Sequence, residues 1–218
     1  MRYIYMLPAA FFVPIIHEWV KAIISNAQGD PTPRNSGYLT ANPFKYFEPI
    51  GFAFMLHFGF GWGRPTPTAA LHYKDRNRGV LVTYLAPVIV SFILGLLAVV
   101  GVALFTASIY GPTGVEIFFN MLRFPVWVPN LYLVGLIMLS HFAFMSINFA
   151  LFNLLPVYPM AANKLILQFS RPDTIARINH YEKPMQVVLI LMLAIGVVGS
   201  IIIPITNRII IMTWALVT

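Results

Sequence analysis

Three long stretches of this chain contain no Asp, Glu, Lys or Arg, and they constrain its fold more than any other feature. They run from 79 to 115, from 124 to 163 and from 184 to 207. A helix needs about 20 consecutive apolar residues to cross the roughly 30 Å hydrocarbon core of a bilayer. The first two stretches therefore predict spanning helices at 81–107 and 131–155. The third, extended to 184–217, predicts one hydrophobic helix kinked at Pro204 or a helix pair.

Two further apolar segments complete the predicted architecture. Residues 3–27 are long enough to span the bilayer, although ionisable residues lie among them. Residues 49–63 are uncharged but too short for an upright crossing, which predicts a re-entrant half-helix covered by protein or by a wet cavity. The predicted fold is all-α: a single transmembrane domain, 1–218, of a polytopic integral membrane protein, with about 4–6 transmembrane helices and a re-entrant half-helix.

The composition agrees with a membrane protein and excludes several other classes. Only 10% of the residues are charged, against about 25% in ordinary soluble domains, so a soluble globular enzyme is excluded. Cysteine is absent, which excludes disulfides and thiolate metal sites. The net charge of +7 would suggest nucleic acid for a soluble chain; here it indicates anionic lipid headgroups. The lipid bilayer, and not nucleic acid, is the expected partner.

The basic residues are concentrated in two connections between the apolar stretches. One connection carries Arg64, Lys74, Arg76 and Arg78, and the other carries Lys164, Arg171, Arg177 and Lys183. The positive-inside rule predicts that both connections are cytoplasmic. The simplest interpretation of these charges is that they set the topology.

One ionisable cluster, His17, Glu18 and Lys21, lies inside the first apolar segment. His17 and Lys21 share a helical face at i and i+4, and Glu18 and Lys21 are i and i+3. An ion pair between Glu18 and Lys21 would lower the cost of burying both charges without any function. The alternative is that His17-Glu18-Trp19-Val20-Lys21 is a degenerate H-E-x-x-H motif, in which two histidines bind zinc and the glutamate acts as general base.

Five segments downstream of His17-Glu18 support the second interpretation. They are Gly29-Asp30-Pro31-Thr32-Pro33-Arg34, Gly37-Tyr38-Leu39-Thr40-Ala41-Asn42-Pro43, Gly61-Trp62-Gly63-Arg64-Pro65-Thr66-Pro67, Leu85-Ala86-Pro87 and Phe152-Asn153-Leu154-Leu155-Pro156-Val157-Tyr158-Pro159-Met160. In this order, over about residues 10–170, the chain resembles the site-2 protease family of intramembrane zinc metalloproteases. Members commonly show G-D-x-T-x-R, G-R-L-T-L-N-P, G-W-A-K-P-V-P, A-G-P and F-N-L-L-P-I-P-P-L at these places.

The departures from that family fall on the catalytic groups. The resemblance implies that His17 matches the first zinc-binding histidine and Glu18 the general base. Lys21 replaces the second histidine, and Ala161 occupies the position of the aspartate ligand. Since zinc needs three protein ligands and an open position, one imidazole is not enough. The chain is expected to be a degenerate member, a pseudoprotease without zinc or another cofactor, in which the Lys21 ammonium stands in for the metal.

Four other residues are candidate site residues. In the family, the Asn-Leu-Leu-Pro stretch helps to hold substrate, so Asn153 and Pro156 are expected to contact a partner; the alternative is that they only terminate a helix. His57 and His141 could rebuild a metal site with His17, although interhelical hydrogen bonding is the commoner role of such histidines.

The expected function is that of a catalytically inactive site-2-protease-like protein. It would act as a subunit of a hetero-oligomeric complex, or as a binding scaffold for a transmembrane segment of a partner, in a prokaryotic cell (inner) membrane. The alternative is an active intramembrane zinc metalloprotease with substituted ligands. A third class, a proton or ion pathway, rests only on the intramembrane Glu18 and Lys21.

Overall fold

The computed structural model of the chain describes residues 2–110, 113–123 and 130–218, and this part is helical without strands. The ten helices of the described residues are α1 Arg2–Ala27, α2 Thr32–Asn35, α3 Pro49–Phe58, α4 Arg76–Tyr110, α5 Gly114–Arg123, α6 Leu131–Asn153, α7 Ala161–Gln168, α8 Pro172–His180, α9 Glu182–Ala194 and α10 Val197–Val217. Single 3₁₀ turns cover Pro43–Lys45 and Ala70–His72.

Four of these helices are long and apolar enough to cross a membrane. They contain the segments Tyr3–Ala27, Arg76–Ile109, Leu131–Asn153 and Val197–Val217, with lengths of 25, 34, 23 and 21 residues. A helix satisfies its own backbone hydrogen bonds, which is why such uncharged sequences form helices in lipid. The prediction of an all-α polytopic membrane protein is confirmed.

The C-terminal hydrophobic segment divides into two helices, α9 and α10. The interruption lies at Ile195–Gly196, where Gly196 has a positive φ of 81°, a conformation that glycine adopts without steric cost. Pro204, where the sequence predicted a kink, lies inside α10. Leu193 of α9 and Val198 of α10 pack together with Phe60, so both helices contact the segment that follows α3.

Helix α3 and the extended segment after it form a hairpin that runs along α1. Met55 of α3 packs against Met6 and Ala9, near the beginning of α1. The chain reverses at Gly59, which has a φ of 76°, and returns far enough for Thr66 to contact Glu18. The hairpin therefore packs along α1; that it is re-entrant in the bilayer stays a prediction.

Helices α1, α4 and α6 form the central layer, and close contact between α4 and α6 depends on a glycine. A Cβ built on Gly95 would lie 2.7 Å from Ile147 Cγ1 and 3.2 Å from the backbone oxygen of Ala143. Gly95 therefore allows the two helices to pack more closely than any residue with a side chain would permit.

We expect Gly95→Ala to destabilise the protein by about 1–3 kcal/mol, because the added methyl group must push α6 away. The measurement is the midpoint of thermal unfolding in detergent. Gly135→Ala in α6 is the matched control, since nothing lies within 4 Å of a Cβ at that position. Equal midpoints for the two variants would contradict this account of the α4–α6 contact.

Candidate functional site

The ionisable cluster of α1 is buried in the central layer. His17, Glu18 and Lys21 retain 3%, 7% and 8% of their accessible surface. The His17 Nδ1 lies 3.2 Å from the Ser91 hydroxyl of α4, which itself donates to the Pro87 carbonyl at 2.9 Å. These side chains therefore face protein and not lipid, as the cost of burying a charge requires.

Glu18 binds a cation and a backbone amide at the same time. The Lys21 Nζ lies 3.3 Å from its Oε1 and 3.2 Å from its Oε2, the pairing that the i, i+3 spacing predicts. The backbone N–H of Thr66 donates to Oε2 at 2.7 Å, and the Thr66 hydroxyl donates to the Glu18 carbonyl at 2.9 Å. Both carboxylate oxygens are thus engaged by the chain itself.

The Lys21 ammonium is also placed over an aromatic ring. Its Nζ lies 5.1 Å from the centroid of the Tyr84 ring, within the range of a cation–π interaction. The Tyr84 hydroxyl is 3.0 Å from the Thr68 hydroxyl, on the same returning segment that carries Thr66. Lys21 is therefore held between a carboxylate and an aromatic face.

Ala161, at the position of the family's aspartate ligand, lies in an apolar environment. It begins α7, retains 5% of its surface and packs with Val88 and Ala150. Tyr84 packs against the same cluster, and its ring also lies beneath the Lys21 ammonium, so Tyr84 connects the two positions. The position is close to the cluster in the fold but offers no oxygen ligand.

The donor set at this site does not fit a zinc ion. A zinc centre needs three protein ligands from His, Cys, Asp or Glu, and the site offers the His17 imidazole beside a Glu18 that is already paired with an ammonium. Within residues 2–110, 113–123 and 130–218, no group of three such side chains is arranged to hold a metal. His57 and His141 do not complete one with His17.

The two other candidate histidines line neighbouring cavities, which share Phe58 and Ile203. His57, exposed at the end of α3, lines a cavity of about 460 Å³ that reaches Gly196 and Ser200 between α9 and α10. His141 is buried in α6 with its Nδ1 2.8 Å from the Ile137 carbonyl, and it lines a cavity of about 440 Å³.

Asn153 and Pro156, the predicted partner contacts, differ in exposure. Asn153 retains 8% of its surface, and its Nδ2 donates to the Phe149 carbonyl of its own helix at 2.9 Å. Pro156 is exposed just beyond the end of α6. The structure brings neither of them into contact with His17 or Glu18 through a hydrogen bond.

A second buried polar group, around Asp30, was not singled out from the sequence as a site. Asp30 is fully buried after the end of α1, and its carboxylate accepts from the Ser25 hydroxyl at 2.9 Å and from the amides of Thr32 and Ala69 at 2.9 and 2.7 Å. The Tyr73 hydroxyl is 3.0 Å from Ser25. The sequence signal for this group was the aspartate of the Gly29–Arg34 motif. Its carboxylate links Ser25 of α1 to Ala69 of the 64–75 connection through hydrogen bonds.

Burial opposes the ionisation of Asp30, but the hydrogen bonds from Thr32, Ala69 and Ser25 outweigh it and hold the pKa of the carboxyl below its usual value. A carboxylate with a lowered folded-state pKa stabilises the fold above the unfolded-state pKa of about 3.9. That contribution is lost as the pH falls through the folded-state pKa.

We therefore expect Asp30→Asn to lower the unfolding free energy at neutral pH by about 1.5–3 kcal/mol, the usual worth of a charged hydrogen bond. The difference from the wild type should shrink as the pH falls from about 4, the unfolded-state pKa, through the lowered folded-state pKa, where the wild-type carboxylate becomes protonated. Thermal unfolding across a pH series measures both effects. Asp173→Asn, at an exposed aspartate of α8, is the control; a loss of the same size there would contradict the role of Asp30.

The fold and the site together describe a helical membrane protein with four span-length helices and a buried His17-Glu18 dipeptide, which the hairpin after α3 contacts through Thr66. The chain is 30% identical over 175 residues to a curated protein of Bacillus subtilis (strain 168) named "Putative zinc metalloprotease YwhC". The match covers 77% of this chain and 69% of that protein, so the chain belongs to the same family as that protein. No family model matches the chain, and no solved structure matches it.

Proposed function

We propose that this protein is a non-catalytic member of its metalloprotease family, acting as a subunit or binding scaffold for a transmembrane segment of a partner protein. The observation that carries the proposal is the buried contact of Lys21 with both carboxylate oxygens of Glu18. An ammonium in this place balances the charge that a metal cation would otherwise balance. The site is then neutral and stable without zinc.

The hydrogen bonds of Glu18 also argue against its use as a general base. A general base must be within reach of the proton that it abstracts and free to accept it. Here Oε2 accepts the Thr66 amide, and both oxygens face Lys21. Protonating Glu18 would break a buried ion pair, which is costly in a medium of low polarity.

A binding role is supported by two features that the chain retains although the family's zinc-ligand positions are occupied by Lys21 and Ala161. The hairpin still covers the α1 cluster, and Pro156 remains exposed beyond α6, where the family's substrate contacts are expected. We propose that a transmembrane or extended segment of a partner binds beside this stretch, in a hetero-oligomeric complex of a prokaryotic inner membrane.

The alternative is an active zinc metalloprotease with substituted ligands. It is favoured by the name of the Bacillus subtilis relative, a putative zinc metalloprotease, and by the retained His17-Glu18 dipeptide. An active zinc site would need two ligands in addition to His17. Among the described residues, no group of three potential ligands is arranged to hold a metal.

Purification of the tagged protein in a mild detergent tests both candidates in one preparation. We expect a membrane protein to co-purify in a constant ratio and zinc to remain far below one ion per chain by elemental mass spectrometry. Pro156→Ala should reduce the co-purification, whereas Pro184→Ala, at another exposed proline, should not. Stoichiometric zinc in the wild-type protein would overturn the proposal, and a lone monomer would remove the scaffold role.

A further inference from the structure

The two basic connections, which are far apart in the sequence, meet in the folded protein. The Gln168 Nε2, at the end of α7, donates to the Asn77 Oδ1, in the first turn of α4, at 2.8 Å across 91 residues. We propose that these connections form one binding surface for the headgroups of anionic phospholipids. We call it the basic surface; its cationic residues are Lys74, Arg76, Arg78, Arg171, Arg177 and Lys183, and all of them are exposed.

The basic surface keeps most of its positive charge. Lys164, the remaining cation of the second connection, is paired with Glu182 at 3.3 Å and is not counted in it. The acidic residues left between the six cations are Asp75 and Asp173. The Asp75 carboxylate accepts the backbone amide of Arg78 at 3.0 Å, so it caps the beginning of α4. A clear excess of cations therefore faces outward.

The first part of the basic surface lies at the ends of two span-length helices. Helix α4 begins at Arg76, and the Lys74 amide donates to the Gln28 carbonyl at 3.1 Å, directly after the end of α1. The cations thus begin where two span-length helices end. Clusters of four to eight Lys or Arg immediately beyond a transmembrane helix are typical of binding to anionic lipids, each worth about 1 kcal/mol near the surface.

Large apolar side chains lie between the cations. Leu71, Phe169 and Tyr181 are 84%, 65% and 55% exposed, so large apolar side chains accompany the cations in both connections. Helix α8 between them has no buried residue, and its Ile175 and Ile178 share one face. Aromatic and aliphatic residues among basic ones are characteristic of segments that lie in the membrane interface.

Charges that only set topology need neither proximity nor apolar neighbours, because that rule counts residues near the helix ends. The contact between Asn77 and Gln168 and the exposed aromatics are features that such a role leaves unexplained. They are explained by a phosphate bound between the cations with its acyl chains beside the aromatics. This surface is separate from the Glu18 site, so the proposal is independent of the proposed function.

The test measures lipid retention by native mass spectrometry on the full chain in detergent, with phosphatidylglycerol and phosphatidylcholine as probes. We expect phosphatidylglycerol to be retained preferentially, and Arg171→Gln/Arg177→Gln to weaken its binding roughly tenfold to thirtyfold. Arg34→Gln/Arg123→Gln removes the same charge from exposed positions outside the basic surface and should leave binding unchanged. Unchanged thermal unfolding of both variants verifies that they are folded.

Three results would overturn the proposal. Equal retention of the two lipids would remove the headgroup specificity, and an equal loss in the control variant would show that only net charge matters. Displacement of phosphatidylglycerol by millimolar inorganic phosphate or by a polyglutamate peptide would mean that the surface binds free phosphate or an acidic protein. Persistence of the lipid against both competitors supports the proposal.

Discussion

Replacing Lys21 by methionine is expected to lower the free energy of unfolding by about 3–5 kcal/mol, the cost of breaking a buried ion pair by removing one partner. The Lys21 ammonium contacts both Glu18 oxygens, and both side chains are about nine-tenths buried. Methionine has a similar volume but no charge, so Glu18 would remain buried with only the Thr66 amide as a partner. The measurement is the midpoint of thermal unfolding in detergent.

The double variant Glu18→Gln/Lys21→Met separates charge from packing. Removing both charges leaves no uncompensated ion, and the double variant should recover most of the stability that Lys21→Met loses. Lys164→Met, in the partly exposed pair with Glu182, is the matched control and should cost less than about 1 kcal/mol. An unchanged midpoint for Lys21→Met would mean that Lys21 does not replace a metal in holding Glu18.

Zinc uptake is expected to appear in the variant Lys21→His/Ala161→Asp, which restores the two ligand positions that the family resemblance identifies. The i, i+4 spacing places the first change on the helical face of His17. Ser91 already engages the His17 Nδ1, the kind of hydrogen bond that orients a metal-binding imidazole and leaves its other nitrogen for the metal. Elemental analysis should find about one zinc per chain in the double variant.

Each single variant and the wild type are the controls and should remain without stoichiometric zinc, because two ligands do not form a stable site. Adding His17→Ala to the double variant should abolish uptake and would locate the ion at this cluster. A folded double variant that takes up no zinc would contradict the prediction. In that case the apolar packing of Tyr84, Val88 and Ala150 around residue 161 would differ from a metal site in more than its ligands.

The local features of the site were predictable because they depend on spacing within one helix. The pairing of Glu18 with Lys21 follows from their i, i+3 relation. The contacts that complete the site were not predictable in this way. Thr66 lies 48 residues from Glu18, and Ser91 lies 74 residues from His17, so their meeting depends on the path of the whole chain.

The hypothesis that His57 and His141 rebuild a metal site with His17 could not be decided from residue spacing. His57, His141 and His17 were candidates because each lies in an apolar segment. In the structure, His57 of α3 and His141 of α6 line different cavities. Among the described residues, neither forms a group of three potential metal ligands with His17. Residue type alone could not decide which faces of these helices point toward one another.

The sequence by itself determined that the chain is a helical membrane protein and that one ionisable cluster lies within it. Hydropathy is a local property, and a chain in lipid must satisfy its backbone hydrogen bonds within each helix, so the approximate positions of the spans follow from the order of apolar and charged residues. Only the tertiary structure decided that the C-terminal segment divides at Gly196, that Thr66 caps Glu18 and that Asn77 meets Gln168. The last two outcomes join residues far apart in the sequence, and a pattern within one segment does not specify such contacts.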